Sequence, residues 1–384
     1  MTNRRRALLG MPNIGDLSQR ATTILLVVGL AVGLLVAGPT SRAVAVSRDA
    51  ATADAIWARG AAVGSGAIAV YVDRRQVQPY VGNFAAWGLA VHGGRVRDLA
   101  SLRVAWAHLA WYAAAQDGSG FVTDYAVATD GTMTSTGDMD ATDASAGTFL
   151  LAAEAAYQAS RSVEGTSAAK ARLTALAKGL DGALRAIEAT TDTDGLTWAK
   201  PAWHVKYLMD QSEVYAGLQA AKRLFTSLGD AGRSSRASAG AKAVASGVSG
   251  LWNAETRSYD WAVHEDGRHA SADLTVLYPH AMEQVWAVAF GLVPQKRATS
   301  LLTRIKALHP ELASPDSAMP GGDGTELVGY WTWAAAAWLA AGDRIEADRL
   351  LTAIDSAAVS AGRPWPFTSG NAGQVMIQAA RLAG

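Results

Sequence analysis

Carboxylates dominate the side chains able to do chemistry. Thr123-Asp124-Tyr125 leads through a Gly/Thr loop to Asp138-Met139-Asp140-Ala141-Thr142-Asp143, with four aspartates in the two segments that flank the loop. A second acidic point, Asp210-Gln211-Ser212-Glu213, follows an aromatic-rich approach with Trp198, Trp203 and His204. Asp143 and Asp210 lie 67 residues apart. Two carboxyls facing each other across a sugar-sized gap can divide the work of acid/base catalysis. One stays protonated and donates to a leaving oxygen, while the other stays ionised and activates water. An inverting pair stands about 6.5–9.5 Å apart to admit that water. Asp210 and Glu213, one helical turn apart, can also split their pKa values by mutual repulsion.

Other chemistries find less support. The chain has no cysteine, which excludes disulfides, thiolate metal sites and a cysteine nucleophile. Its 34 basic side chains balance 34 acidic ones, and no Lys/Arg block follows the N-terminus, so the electrostatic footprint of nucleic-acid binding is missing. The seven His are scattered without a zinc motif. Asp138, Asp140 and Asp143 are too few for a calcium site and lack the EF-hand glycine and terminal glutamate. Neither the tandem-Asp nor the acid motif of terpene-forming enzymes is present. Gly64-Ser65-Gly66 and the run 321–324 show no phosphate-loop pattern. No metal or cofactor is implied.

The elements that must position these acids are helices. Half the residues are apolar and only 18% are charged, so most of the chain folds around one large core. Helix formers dominate, with breaks at Gly, Pro and Asp. They predict about twelve helices, at 48–60, 79–92, 96–116, 142–160, 166–190, 209–229, 231–250, 278–291, 294–308, 325–341, 343–360 and 370–382. Short hairpin-like strands are expected at 121–127 and 257–263. Every second helix is apolar or small around its whole circumference, as in TDASAGTFLLAAEAAY and TELVGYWTWAAAAWLAA. Such helices are buried on most sides. Their partners, such as PQKRATSLLTRIKALH, carry charge on one face. Six buried helices alternating with six amphipathic ones, without a fixed repeat, predict an all-α (α/α)6 toroid with six inner and six outer helices. In each inner helix the polar residues gather in the first turns: Asn83, Asp143, Asp210 with Glu213, Glu283 with Gln284, Glu326 and Asn371. Parallel inner helices would bring them to one mouth. Acids at helix N-termini also stabilise by about 0.3–1 kcal/mol through the macrodipole alone, and Asp210–Glu213 has capping-box spacing.

The toroid, with DASAGTFLLAAEAAY and YLMDQSEVYAGLQAAKRLF, resembles the six-hairpin glycosidase superfamily, and in spacing its unsaturated glucuronyl hydrolases. The resemblance extends over most of the body at fold level and over these two motifs in detail. It implies Asp143 as the first catalytic aspartate and Asp210 as the acid/base. The group's His before the first Asp is Thr142 here, and its Met-Met-Asn after the second is Gln211-Ser212-Glu213. Glu213 is the alternative working acid, as glutamates are in other six-hairpin glycosidases. Thirteen Trp against six Phe supply flat faces suited to stacking on sugars. The binding candidates are Asn83, Tyr125, Asp140, Trp203, Gln211, Glu283, Glu326, Trp331 and Trp365. Trp331 and Trp333, two apart on one predicted helix, cannot both face a cleft.

The N-terminus has its own character. An Arg-rich flank precedes the apolar run Ala21–Gly38, and Ala43-Val44-Ala45 fits a small-x-small cleavage site. Residues 1–45 are expected to be a signal peptide or membrane anchor, with 46–384 forming the toroid outside the cytoplasm. The 26 Arg against 8 Lys suggest a GC-rich bacterial genome. The whole points to an exported or tethered glycoside hydrolase acting on a cell-envelope or extracellular carbohydrate. It would need no cofactor or partner protein, and would meet the membrane only through an uncleaved N-terminus. A non-catalytic sugar-binding subunit of a polysaccharide export or assembly system is the rival. A polysaccharide lyase would need a Tyr or His base such as Tyr125, Tyr207 or His204.

Overall fold

The computed structural model describes residues 40–313, 319–320, 326–327 and 331–384. The apolar run 21–38 lies outside the described residues, while the Ala43–Ala45 tripeptide falls in the first turns of the first helix. Among the described residues no helix is long and apolar enough to cross a membrane.

Among the described residues, twelve α-helices alternate between two rings. The outer ring comprises α1 (Thr40–Gly60), α3 (Leu99–Ala115), α5 (Thr166–Thr190), α7 (Ala231–Gly250), α9 (Gln295–Leu308) and α11 (Arg344–Ser360). The inner ring comprises α2 (Pro79–Val96), α4 (Thr142–Val163), α6 (Leu208–Leu228), α8 (Met282–Ala289), α10 (Ala334–Ala340) and α12 (Ser369–Ala383). Neighbouring inner helices touch in the order α2-α4-α6-α8-α10-α12 and back to α2, closing the toroid. The inner helices are wrapped as their composition requires: every residue of α4 from Thr142 to Ala153 is buried. Phe149 of α4 stacks on Tyr112 of α3 with centroids 4.3 Å apart. Trp333 lies against Phe84, Trp87 and Phe290 at 5.5, 5.6 and 5.2 Å.

Glycines set how closely the inner helices approach. A Cβ on Gly88 of α2 would stand 2.4 Å from the backbone of Gly373 in α12, and one on Gly217 of α6 would stand 2.5 Å from that of Gly147 in α4. At these two crossings the backbones touch directly. The second lies one turn below Asp143 and Glu213.

Three outer helices are capped by acids: Asp98 accepts from the amides of Ala100 and Ser101, Asp230 from Arg233, and Asp343 from Glu346, each cap worth about 0.5–2 kcal/mol; α5 and α9 have no side-chain cap. Among the described residues no side chain caps α2, α4, α6 or α8. The capping-box reading of Asp210–Glu213 is therefore corrected: Tyr207 is the N-cap of α6, and Asp210 lies three residues inside it. Its carboxyl is left for other use. A capping box does open α12, made by Thr368 and Asn371.

Ten short strands decorate the loops among the described residues. β1 (Gln76–Val77), β2 (Tyr125–Val127) and β3 (Met133–Ser135) form one antiparallel sheet in that order. β4 (Val205–Tyr207), β7 (Ala262–His264) and β8 (His269–Ala270) form another, ordered β4-β7-β8. β5 (Trp252–Asn253) pairs with β6 (Ser258–Tyr259), and β9 (Met319–Pro320) with β10 (Glu326–Leu327). The tenth helix departs from expectation. It begins at Ala334 rather than near 325, and Glu326 belongs to β10 instead of a first helical turn. Gly329 and the run Tyr330-Trp331-Thr332-Trp333 are poor helix formers, so the helix waits for the alanines. The α8 segment starts with a wide turn, Leu277–Ala281, before regular helix at Met282.

On the outer side, Arg363 latches α1 to the approach to α12. Its Nε donates to Asp54 Oδ1 at 2.7 Å, and its carbonyl accepts from the Tyr71 hydroxyl at 2.7 Å. Burial, then the nearby Asp355 carboxyl, push Asp54 up to about 8 despite Arg363.

Candidate active site

Three adjacent inner helices deliver four buried carboxyls to the mouth of the ring: Asp143 from α4, Asp210 and Glu213 from α6, and Glu283 from α8, exposed by 0, 4, 0 and 1%. Their partners differ.

Asp143 is the best supported as an anion. Its Oδ2 accepts from the Thr197 hydroxyl at 2.6 Å and its Oδ1 from the Ala144 amide at 2.8 Å. Burial pushes it up to about 7, and these two donors hold it from going further. Asp210 is the opposite case. It has no hydrogen-bond partner among the described residues, and burial and then the charges of Asp143, Glu213 and Glu283 hold it well above the usual carboxylate range.

Glu213 sits one turn deeper. Its Oε1 accepts from the Tyr80 hydroxyl at 2.7 Å and from Trp286 Nε1 at 2.9 Å. Its Oε2 is enclosed and has no partner among the described residues. Burial pushes Glu213 up to about 8, against the pull of those two donors. Glu283 accepts the Met209 amide at 3.3 Å, and burial raises it well above a free glutamate. Exposed Asp140 stands over this group, close enough to raise Asp210 and Tyr278 through space.

Aromatic rings frame the mouth. Tyr278 stacks on Trp331 with centroids 5.6 Å apart, and Tyr207 on Trp261 at 6.0 Å. Trp203, half exposed, donates from Nε1 to the Tyr207 hydroxyl at 3.0 Å. The other sequence candidates go elsewhere. Asn83 is sealed in the core, where Nδ2 donates to the Ser145 carbonyl and Thr148 hydroxyl and Oδ1 meets His108. Gln211 is consumed by Thr197, accepting its amide and donating to its carbonyl. Both expected sugar contacts are thereby corrected to internal braces. Tyr125 lies on β2, edge-on to Trp111. Trp365 is largely exposed beside Tyr71, on the loop that enters α12. Trp331 and Trp333 do diverge, one onto Tyr278 and the other into the core, although neither is helical. The Glu326 side chain lies outside the described residues.

Tyr80, Thr197, Tyr278 and Trp286 escaped sequence reasoning. Tyr80 and Trp286 lie in the first two turns of inner helices, so extending the polar first-turn rule to Tyr and Trp would have found them. Thr197 sits in a loop between helices, and no spacing points to it.

No family model and no curated protein matches the chain. Solved structures do match in fold. A GH63 mannosylglycerate hydrolase from Thermus thermophilus, in complex with glucose, superimposes with a TM-score of 0.59 at 12% identity, over 87% of this chain and 99% of the other. A wild-type glycosidase superimposes with a TM-score of 0.58 at 16% identity, over 90% and 99%. An uncharacterized conserved protein, also from Thermus thermophilus, gives 0.59 at 14% identity, over 87% and 99%. The chain thus has the six-hairpin (α/α)6 fold of these glycosidases.

Proposed function

We propose that this protein is a glycoside hydrolase, with Asp210 as general acid and Asp143 as general base at the toroid mouth. The observation that carries the reading is the contrast between these carboxyls. Asp210 is buried, without a hydrogen-bond partner among the described residues, and held well above the usual carboxylate range by burial and then by its neighbours, whereas Asp143 is supported by two donors. Asp210 gives its proton to the glycosidic oxygen as the bond breaks. Asp143 takes a proton from the attacking water. Glu213, fixed by Tyr80 and Trp286, adds to what raises Asp210, and Tyr207, Tyr278, Trp203 and Trp331 offer faces to the sugar rings. The reaction needs no cofactor.

The shared fold with a mannosylglycerate hydrolase and a second glycosidase supports a carbohydrate substrate. The Arg-rich flank and apolar run at 21–38 support action on an envelope or extracellular glycan. A lyase is less well served, because burial and neighbouring carboxyls raise the phenols of Tyr80, Tyr207 and Tyr278, opposing the phenolate such a base requires.

Reducing-sugar release from a panel of bacterial and plant glycans, by the parent and by Asp210→Asn, tests the reading. Release that the variant abolishes is the expected result. Binding by both proteins without release by either would instead favour the sugar-binding subunit.

A further inference from the structure

The hydroxyl of Thr197 reaches two acceptors with one proton to give. Asp143 Oδ2 lies 2.6 Å from it and Gln211 Oε1 3.1 Å, and all three side chains are buried. Gln211 also grips the backbone of Thr197 from both sides: its Oε1 accepts the Thr197 amide at 2.8 Å and its Nε2 donates to the Thr197 carbonyl at 2.9 Å. That two-point clamp fixes the threonine against α6, one residue along from Asp210, and turns its side chain to α4. The same connection is tied to α4 again where the Thr142 amide donates to the Ala199 carbonyl at 2.7 Å. Since Gln211 Oε1 already accepts an amide, the hydroxyl proton belongs on ionised Asp143, a charged acceptor that makes the bond about twice as strong. When Asp143 takes up a proton the need reverses. A hydroxyl has one donor and two acceptor lone pairs, so Oγ1 accepts from the carboxyl and turns its own proton to Gln211 Oε1. Neither state strands a buried polar group.

From this geometry we infer that Thr197 is a positioning residue for Asp143, aimed by Gln211: its hydroxyl donates to the ionised carboxyl, accepts from the protonated one, and so carries Asp143 through both states that a general base must visit. The use of those states in catalysis rests on the glycosidase reading, whereas the hold of Thr197 on Asp143 does not. Other titratable groups surround the pair. Asp143 acts through space on Asp210 and Glu213 of α6, and Glu283 of α8 and Asp140 act on Asp210 in turn. From α2, Tyr80 donates to Glu213, and in α3 burial keeps His108 neutral by pushing it down to about 3. Lys200 is paired with Asp138, and Lys206 with Asp192 and Asp194.

Urea unfolding of the full-length chain from pH 5 to 9 compares the parent with Thr197→Val, which keeps the shape and removes the hydroxyl, and with Thr197→Ser, which restores it. Thr197→Ala takes the place of the valine if that variant does not fold. Asp143 stands at about 7 in the fold against 3.8 ordinarily, so its contribution to stability is fully present below the lower value and is lost as pH climbs through the upper one. Removing a donor to the ionised form carries the upper value about one unit higher. The ratio of the valine variant's unfolding constant to the parent's should therefore stay flat below about pH 6 and grow about ten-fold by pH 9. Serine should follow the parent, and in an Asp143→Asn background, where the other acids still titrate, the ratio should not change with pH. A ratio equal at every pH, growth that persists without Asp143, or serine behaving as valine overturns the inference. Turnover separates it from the catalytic reading: growth of the ratio with an unmoved acid limb in the Thr197→Val rate profile removes Asp143 as the base and leaves Thr197 holding it.

Discussion

Replacing Gly147 by alanine pushes α4 away from α6 at the point that sets the distance between the proposed catalytic carboxyls. The new Cβ would stand 2.7 Å from the Glu213 carbonyl oxygen and 3.1 Å from the Val214 nitrogen. Ordinary contact begins near 3.4 Å, so the helices must part by about 0.7 Å in an interior that packs like a crystal. Because the obstacle is backbone, no side chain can swing aside. Overpacking of this kind costs about 1–3 kcal/mol, offset in part by the roughly 1 kcal/mol that alanine gains over glycine in a helix. A net loss of about 1–2 kcal/mol lowers the melting temperature by roughly 1–3 °C in a chain of this size. Activity should fall further than stability. Asp143 sits one turn above Gly147, and a misplacement approaching 1 Å can cost about a hundredfold. Gly217→Ala, whose Cβ meets Gly147 from the other side at 2.5 Å, should act alike. Gly232→Ala on α7, where the nearest obstacle is the Asp230 side chain at 3.6 Å, is the control and should be as stable as the parent or more stable by up to about 1 kcal/mol. Melting curves and turnover of the glycan found in the panel give the readouts. A Gly147→Ala protein as stable and as active as the parent would refute the reasoning.

Two further outcomes follow from the buried acids. The acid limb of the rate profile should fall near pH 7, where Asp143 ionises, rather than near pH 4. An acid limb at ordinary carboxylate values would remove Asp143 as the base. Stability has its own pH dependence through Asp54. Its folded pKa of about 8 lies above the ordinary aspartate value of 3.8, so its contribution is fully present below the lower value and is lost as pH climbs through the upper one. The loss runs at about 1.4 kcal/mol per pH unit in that window. Asp54→Asn should flatten the decline, matching or exceeding the parent at pH 9, and melts from pH 5 to 9 that fall equally in both proteins would contradict it.

The alternating rings were legible because burial on all sides and burial on one face leave different residue patterns. Boundaries were sharp where a glycine and an acid marked them. Gly229, at φ 82°, closes α6 and Asp230 caps α7. What the pattern could not convey was helix phase. Asn83 and Asp143 both stand in early turns of inner helices, yet one turns to His108 of an outer helix while the other meets Thr197 beside the acids of the next inner helix. A few degrees of rotation about the helix axis decide which, and neighbours distant in sequence set that rotation. Capping was equally ambiguous. A shift of two or three residues in the start of α6 separates an aspartate that caps from one that does not, and the extended Tyr207 backbone settles it. The late start of α10 was hidden because an apolar aromatic run reads alike as buried loop and as buried helix.

The most direct test of the account concerns the Asp210 proton. A general acid is needed in proportion to how poor the leaving group is. Asp210→Asn should therefore lose about a hundredfold to ten-thousandfold in turnover of the natural glycan. It should stay near the parental rate on a dinitrophenyl glycoside of the same sugar, whose leaving group departs without protonation. Equal loss on both substrates, or loss on neither, would contradict the assignment of Asp210 as the acid.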